Sequence, residues 1–132
     1  MEWQDEYSVG IREIDDQHKA LLHDFSRIEA AIRTGQEWGR IHFCLLELKH
    51  RARSHFDFEA GLMRLYGYAG VAEHIEHHQH CLDELEELER QSADNQVGER
   101  TIEFLLTWLS EHILGIDRDY AEYILAGPPV IR

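Results

Sequence analysis

The sequence predicts an all-α protein, an antiparallel up-down-up-down four-helix bundle with an N-terminal arm. Three observations favour this fold. Apolar residues recur every three or four positions over most of the chain, the only two prolines are Pro128 and Pro129, and glycine and other turn residues cluster at a few short stretches. Helices can therefore run long without a proline break, and the short connections favour antiparallel neighbours.

The turn-rich stretches divide the chain into an arm, residues 1–13, and four helices near residues 14–34, 37–66, 70–91 and 96–126. Gly35, Gly67 and Gly127 follow the first, second and fourth of these helices, and glycine is common just past a helix end. The arm has no helical period and is expected to lie on the bundle. The 132 residues suit a single domain, and no repeat or linker divides them.

The composition argues against several classes of function. Thirteen lysines and arginines against 26 aspartates and glutamates give a net charge of −13, which disfavours both a nucleic-acid surface and docking on anionic lipid. No apolar run approaches the ~20 residues of a membrane-spanning helix, and the acidic first residues do not resemble a signal peptide. Cys44 and Cys81 form no CxxC motif, which fits a reducing compartment. We therefore expect a cytoplasmic protein without membrane insertion.

Each predicted helix carries an apolar stripe at the spacing typical of the seam of a left-handed bundle. Polar residues interrupt the four stripes. The interrupting residues are His18 in the first helix, His55 and Glu59 in the second, His74 and His78 in the third, and His112 in the fourth. In an antiparallel bundle the starts of the first and third helices share a level with the ends of the second and fourth. At ~1.5 Å rise per residue, these groups converge within about two turns.

A metal site explains this polar level better than separate structural roles do. One buried histidine usually has a hydrogen-bond partner, but five at one level would each need their own. His55 with Glu59, and His74 with His78, are four residues apart and so share a helix face. Rival pairs such as His77 with Cys81 exist in the histidine-rich third helix, but the apolar stripe selects His74 and His78.

Asp117 is a further candidate ligand, five residues after His112. In a regular helix this step places it about 140° from the stripe. Asp117 therefore reaches the site only from the flank, or if the helix loosens near Gly115.

In these features the sequence resembles the hemerythrins, most closely the single-domain bacterial hemerythrins. The resemblance covers nearly the whole chain. Its motifs are Val9-Gly10-Ile11, Ile14-Asp15-Asp16-Gln17-His18, His55-Phe56-x-x-Glu59, Tyr66-Gly67-Tyr68, His74-x-x-x-His78 and His112-x-x-x-x-Asp117. The departures are Ala69, where relatives often have proline, and five additional histidines, and neither touches a ligand position.

The resemblance implies two iron ions joined by an oxo or hydroxo bridge. It places His74, His78 and His112 on one iron and His18 and His55 on the other. Glu59 and Asp117 bridge the two. If both irons are octahedral, these ligands leave one position open on the iron with two histidines, and an open position is where a further ligand can bind.

The resemblance further implies reversible binding of dioxygen, held as a hydroperoxide on the iron with two histidines. The expected dioxygen pocket comprises Leu109, Trp108, Phe56 and Ile113, although these side chains are also compatible with ordinary core. A dry apolar pocket limits proton delivery. We therefore expect an oxygen carrier or store and not an enzyme, with an oxygen-consuming protein as its acceptor.

Three alternatives compete with the carrier. An oxygen or redox sensor would need a separate output partner. A diiron oxidase or iron store of the ferritin type uses two Glu-x-x-His motifs, and only Glu47-x-x-His50 occurs here. A structural zinc bundle would not leave an open position. The other histidines are expected to be mostly solvated, and Cys81 to be a small core residue. These histidines are His23, His42, His50, His77 and His80.

Overall fold

The computed structural model describes residues 2–93, 98–112, 115 and 117–126. All regular structure within these ranges is helical, so the predicted all-α class is confirmed. A short 3₁₀ turn at Asp5–Tyr7 precedes five helices. They are α1 (Arg12–Arg33), α2 (Trp38–Leu65), α3 (Val71–Ala93), α4 (Glu99–Glu111) and α5 (Asp117–Leu125). The bundle has α2 packed against both α1 and α3, and α1 against α4.

The fourth predicted helix, residues 96–126, differs most from the structure. It was expected to be continuous, but it is divided into α4 and α5, with His112 and Gly115 in π-helical conformation between them. Gly127, the expected end signal, lies outside the described residues. The three other predicted helices agree with the structure to within two residues at each end, a normal uncertainty for helix ends.

The N-terminal arm lies on the bundle, as predicted. The Ser8 hydroxyl and the Val9 N–H both donate to the carboxylate of Asp15 in α1, at 2.5 and 2.9 Å. Arg118 in α5 donates to the carbonyl oxygen of Glu6 at 2.8 Å. The arm therefore ties the start of α1 to α5.

Buried apolar side chains form two separate clusters. The large cluster takes residues from α1 to α4, including Leu21, Leu45, Leu85 and Leu105. The small cluster comprises Val9, Ile14, Met63, Tyr120 and Ala121. On α1, α2 and the α4–α5 pair, the polar residues of the predicted site fall between the two clusters. The polar level is therefore a layer within the core, with an apolar cluster on each side of it.

Among the described residues, no helix combines the length and apolarity needed to cross a lipid bilayer.

Candidate metal centre

Seven polar side chains meet in the layer between the two apolar clusters, and each is at most 5% exposed. They are the seven that the sequence singled out. Their ligand atoms form two groups, and within each group the atoms lie within 4.8 Å of one another. One group comprises His18, His55, Glu59, His112 and Asp117, and the other comprises Glu59, His74, His78 and Asp117. The two groups share both carboxylates.

The carboxylate of Asp117 spans the two groups. Its Oδ2 lies 2.6 Å from Nε2 of His18, 2.8 Å from Nε2 of His112 and 3.2 Å from Nε2 of His55. Its Oδ1 lies 3.2 Å from Nε2 of His74. One oxygen therefore faces each group, which is the arrangement of a bridging carboxylate.

The π-helical conformation at His112 and Gly115 explains how Asp117 reaches the layer. A π-helical turn brings residues five apart onto one helix face, whereas a regular α-helix does so for residues three or four apart. His112 and Asp117 are five positions apart in the sequence, and both side chains are fully buried. Of the two routes that the spacing left open, the loosening near Gly115 is therefore the one that the structure shows.

One carboxylate oxygen of Glu59 faces histidines of both groups, and the other accepts a hydrogen bond that holds the side chain in place. Its Oε1 lies 3.0 Å from Nε2 of His55, 3.3 Å from Nε2 of His78 and 3.5 Å from Nε2 of His112. Its Oε2 accepts a hydrogen bond from the hydroxyl of Tyr120, which is fully buried. Sequence reasoning missed Tyr120, although its position three residues after Asp117 places it on the same face of α5.

Gln17 is a second contact that the sequence did not assign. Its Oε1 lies 2.5 Å from Nδ1 of His55 and accepts the hydrogen bond from that nitrogen. This bond leaves Nε2 of His55 as the nitrogen that faces Glu59 and Asp117. Such outer partners commonly orient histidines that bind metals.

Several buried polar atoms in the layer make no well-aligned hydrogen bond, although Oε1 of Glu59 and Nε2 of His78 have the ion-pair neighbours described above. The atoms without such a bond are Nδ1 of His18, Nδ1 of His112, Nε2 of His78 and Oε1 of Glu59. A buried polar atom without a partner costs ~1–3 kcal/mol, and a coordinated cation would satisfy the two that face the layer, those of His78 and Glu59. Imidazole nitrogen with carboxylate oxygen is a donor set that suits iron. Zinc or manganese can also bind to such a set. The residues present therefore fit a metal centre.

The electrostatics of the layer keep its carboxylates ionised. Burial acts to raise the pKa of Asp117, but His112 and the hydrogen bonds from His112, His18 and His55 hold it well below its usual value. Burial and Asp117 likewise act to raise the pKa of Glu59, but His55 and His112 lower it to about 2. An ionised carboxylate is the form that binds a cation.

Aromatic rings cover the layer on the side of the large apolar cluster. Phe56 stacks on the ring of His78 with centroids 4.0 Å apart, and Trp108 stacks on His112 at 5.5 Å. Leu109 is fully buried in the same cluster. Phe56 and Trp108 therefore lie against candidate ligands, and Leu109 belongs to the same apolar cluster about one turn before His112. The fourth expected pocket residue, Ile113, lies outside the described residues.

The remaining histidines and Cys81 lie outside both groups of ligand atoms. His23, His50 and His80 are exposed, and His42 and His77 are half-buried. Cys81 is buried in the large cluster, where its sulphur accepts a hydrogen bond from Trp108. The sequence had placed Cys81 there.

Comparisons with known proteins agree with this geometry. The family model described as "Hemerythrin HHE cation binding domain" matches residues 9–124. A bacteriohemerythrin of Pseudomonas aeruginosa is 32% identical over 92% of this chain and 80% of its own length. One from Clostridium acetobutylicum is 26% identical over 91% of this chain and 98% of its own. The crystal structure of a wild-type hemerythrin, 26% identical, superposes with a TM-score of 0.84 over 92% of this chain and 95% of that one. The chain therefore belongs to the hemerythrin family.

Proposed function

We propose that this chain reversibly binds dioxygen, as a carrier or store, at a pair of iron ions with an oxo or hydroxo bridge. The observation that carries the proposal is that two groups of ligand atoms share the carboxylates of Glu59 and Asp117, as two neighbouring ions require. The names of the relatives, bacteriohemerythrin, support the same function. We further expect a cytoplasmic location and an oxygen-consuming acceptor protein.

The proposed ligands are His18, His55, Glu59, His74, His78, His112 and Asp117. The resemblance assigns His112 to the ion of His74 and His78. In the structure, Nε2 of His112 belongs to the group of His18 and His55 instead. The assignment of His112 therefore stays a prediction. Bound iron supplies the two electrons that dioxygen takes up on binding.

The chain itself contributes orientation and the exclusion of water. Gln17 orients His55 and Tyr120 orients Glu59, so both ligands are held before an ion binds. Phe56 and Trp108 are at most 5% exposed and stack on His78 and His112, and Leu109 is fully buried in the same cluster about one turn before His112. A dry site limits the proton delivery that would turn bound oxygen into a released product. This favours a carrier over an oxidase.

The variant Leu109→Ala tests the proposal. Removing this fully buried side chain typically costs ~2–5 kcal/mol of stability and leaves a cavity, and we propose that this cavity lets water reach the metal centre. The variant should still bind two irons per chain but lose its oxygenated form to oxidation faster than the wild type. The measurement is the optical spectrum of the reduced protein as oxygen is added and then removed.

Leu105→Ala is the matched control, because Leu105 is equally buried about one turn earlier in α4. It should lose similar stability without faster oxidation. If Leu109→Ala holds oxygen as reversibly as the wild type, the argument from a dry pocket is wrong. If the wild type instead consumes oxygen repeatedly with a reductant and releases an oxidised product, the chain is an oxidase.

A further inference from the structure

Two surface cavities each reach one of the candidate ligands. The first opens between α1 and α2, has a volume of about 290 Å³ and ends on His55. The second lies beside the start of α3 and the start of α5, has a volume of about 230 Å³ and ends on His74. The second cavity is lined by Tyr68, Gly70, Glu73, His74, His77 and Asp119.

The two cavities differ in charge. The first contains a guanidinium, that of Arg51, as well as the carboxylate of Asp16. The second contains the two exposed carboxylates of Glu73 and Asp119, and no lysine or arginine is among the described residues that line it. The second cavity, called here the carboxylate cavity, therefore attracts cations more strongly than the first.

Glu73 and Asp119 line the same cavity as Tyr68, and the charges of both act on its phenol. Burial raises the pKa of the Tyr68 phenol, and the charges of Asp119 and Glu73 raise it further. Both carboxylates therefore lie near one side chain of the cavity wall. A concave site lined by charge of one sign focuses the field and raises the local concentration of the opposite ion.

The inner wall of the carboxylate cavity leads to the candidate metal centre. His74 is only 5% exposed, and its Nε2 lies 3.2 Å from Oδ1 of Asp117. The same group of ligand atoms includes Oε1 of Glu59 and Nε2 of His78, both buried without a hydrogen-bond partner. A cation that passes His74 thus meets two unsatisfied ligand atoms.

We propose that the carboxylate cavity is the port through which divalent metal ions reach the centre. Glu73 and Asp119 capture the hydrated cation at the surface, half-buried His77 lies beside the path, and His74 is the first buried ligand to receive the ion. This proposal rests on the proposed metal centre, and it adds a route for loading that the centre requires because its ligands are buried.

The test is the rate at which metal-free protein takes up Co²⁺, followed in a stopped-flow instrument by visible absorbance. The variant Glu73→Gln/Asp119→Asn removes both carboxylates of the cavity. Its matched control is Glu76→Gln/Asp16→Asn, which changes the net charge equally. Glu76 is exposed on α3 but does not line the cavity, and Asp16 lines the first cavity.

Uptake by the cavity variant should be about tenfold slower than by the wild type at low ionic strength, with the same final metal content. The control should remain within about twofold of the wild type. Added salt should slow the wild type steeply and the cavity variant little, because salt screens the attraction of exposed charges. Circular dichroism should show equal helicity in all three proteins.

Three results would overturn the proposal that metal ions enter through the carboxylate cavity. The first is equal slowing of both double variants, which would show an effect of net charge alone. The second is no slowing of either variant. The third is a lower final metal content in the cavity variant at an unchanged initial rate, which would make the two carboxylates ligands. A wild type that takes up no Co²⁺ would instead overturn the metal centre itself.

Discussion

The large apolar cluster and most of the polar layer are built on the same four helices with the same spacing, but they depend on different forces. In the cluster, Leu45, Leu48 and Leu105 are at most 1% exposed, and burying each such side chain stabilises the fold by roughly 1.5–3 kcal/mol. In the layer, seven polar side chains are each at most 5% exposed. Burying charged groups costs free energy unless they are paired.

This difference shows how one helix stripe serves two purposes. On α2 the stripe runs from Leu48 through Ala52 to His55 and Glu59 without a change of spacing. The apolar part holds the helices together with no ligand. The polar part is positioned by that packing, and we expect a bound cation to stabilise it by joining its carboxylates and imidazoles.

Removal of the metal should have the largest effect, because it takes the ion from the layer and leaves the apolar cluster unchanged. Apparent binding energies of structural zinc reach ~10–16 kcal/mol, so even a fraction of this lowers stability markedly when an ion is lost. We expect metal-free protein to melt at a lower temperature than iron-loaded protein while keeping its helices, by circular dichroism. Equal melting temperatures would show that the layer is satisfied without an ion.

Loss of one ligand should reduce metal content without disturbing the apolar cluster. His78 has a buried Nε2 within the second group of ligand atoms, whereas His80 on the same helix is exposed. His78→Ala should therefore lower the iron bound per chain, and His80→Ala should leave it at two, as measured by metal analysis. If the two substitutions have equal effects, the assignment of ligands is wrong.

Loss of one apolar side chain should instead lower the stability of the fold and leave the metal content unchanged. Leu48 is fully buried in the large cluster, so Leu48→Ala should lower the free energy of unfolding by ~2–5 kcal/mol in chemical denaturation. Iron bound per chain should stay the same, because Leu48 lies about two helical turns from His55. A fall in iron content that matches that of His78→Ala would mean that the two regions are not separable.

The smallest expected effect is a loss of stability of the metal-free protein at alkaline pH. Burial acts to lower the pKa of His112, but Asp117 and Glu59 raise it to about 10 in the metal-free chain. Because the folded pKa lies above the ordinary value of 6.5, this contribution is fully present below pH 6.5 and lost as the pH rises through about 10.

A metal ligand must be unprotonated, so the loaded protein should lack this alkaline loss. The measurement is chemical denaturation of metal-free and loaded protein between pH 6 and pH 10. Parallel curves for the two forms would contradict a role for His112 as a ligand.

The sequence predicts most of the bundle because a helix is recognised by local periodicity. Three helices and the positions of their ligands on α1, α2 and α3 follow from apolar stripes that need no knowledge of the partner helix. The same stripes do not account for Asp24, which is only 2% exposed and accepts a hydrogen bond from Arg51 of α2. A buried ion pair of this kind depends on which helices become neighbours.

The sequence by itself determined the helical class, the polar level and the residue types that converge there, since spacing along a helix decides which side chains share a face. Only the tertiary structure decided how the layer is completed. Gln17 meets His55 across 38 residues and Tyr120 meets Glu59 across 61, so both contacts exist only after the helices pack. The π-helical turn that carries Asp117 inward is likewise a feature that only the tertiary structure decided. A local pattern favours a regular helix there, and the packing of the buried layer accommodates the break.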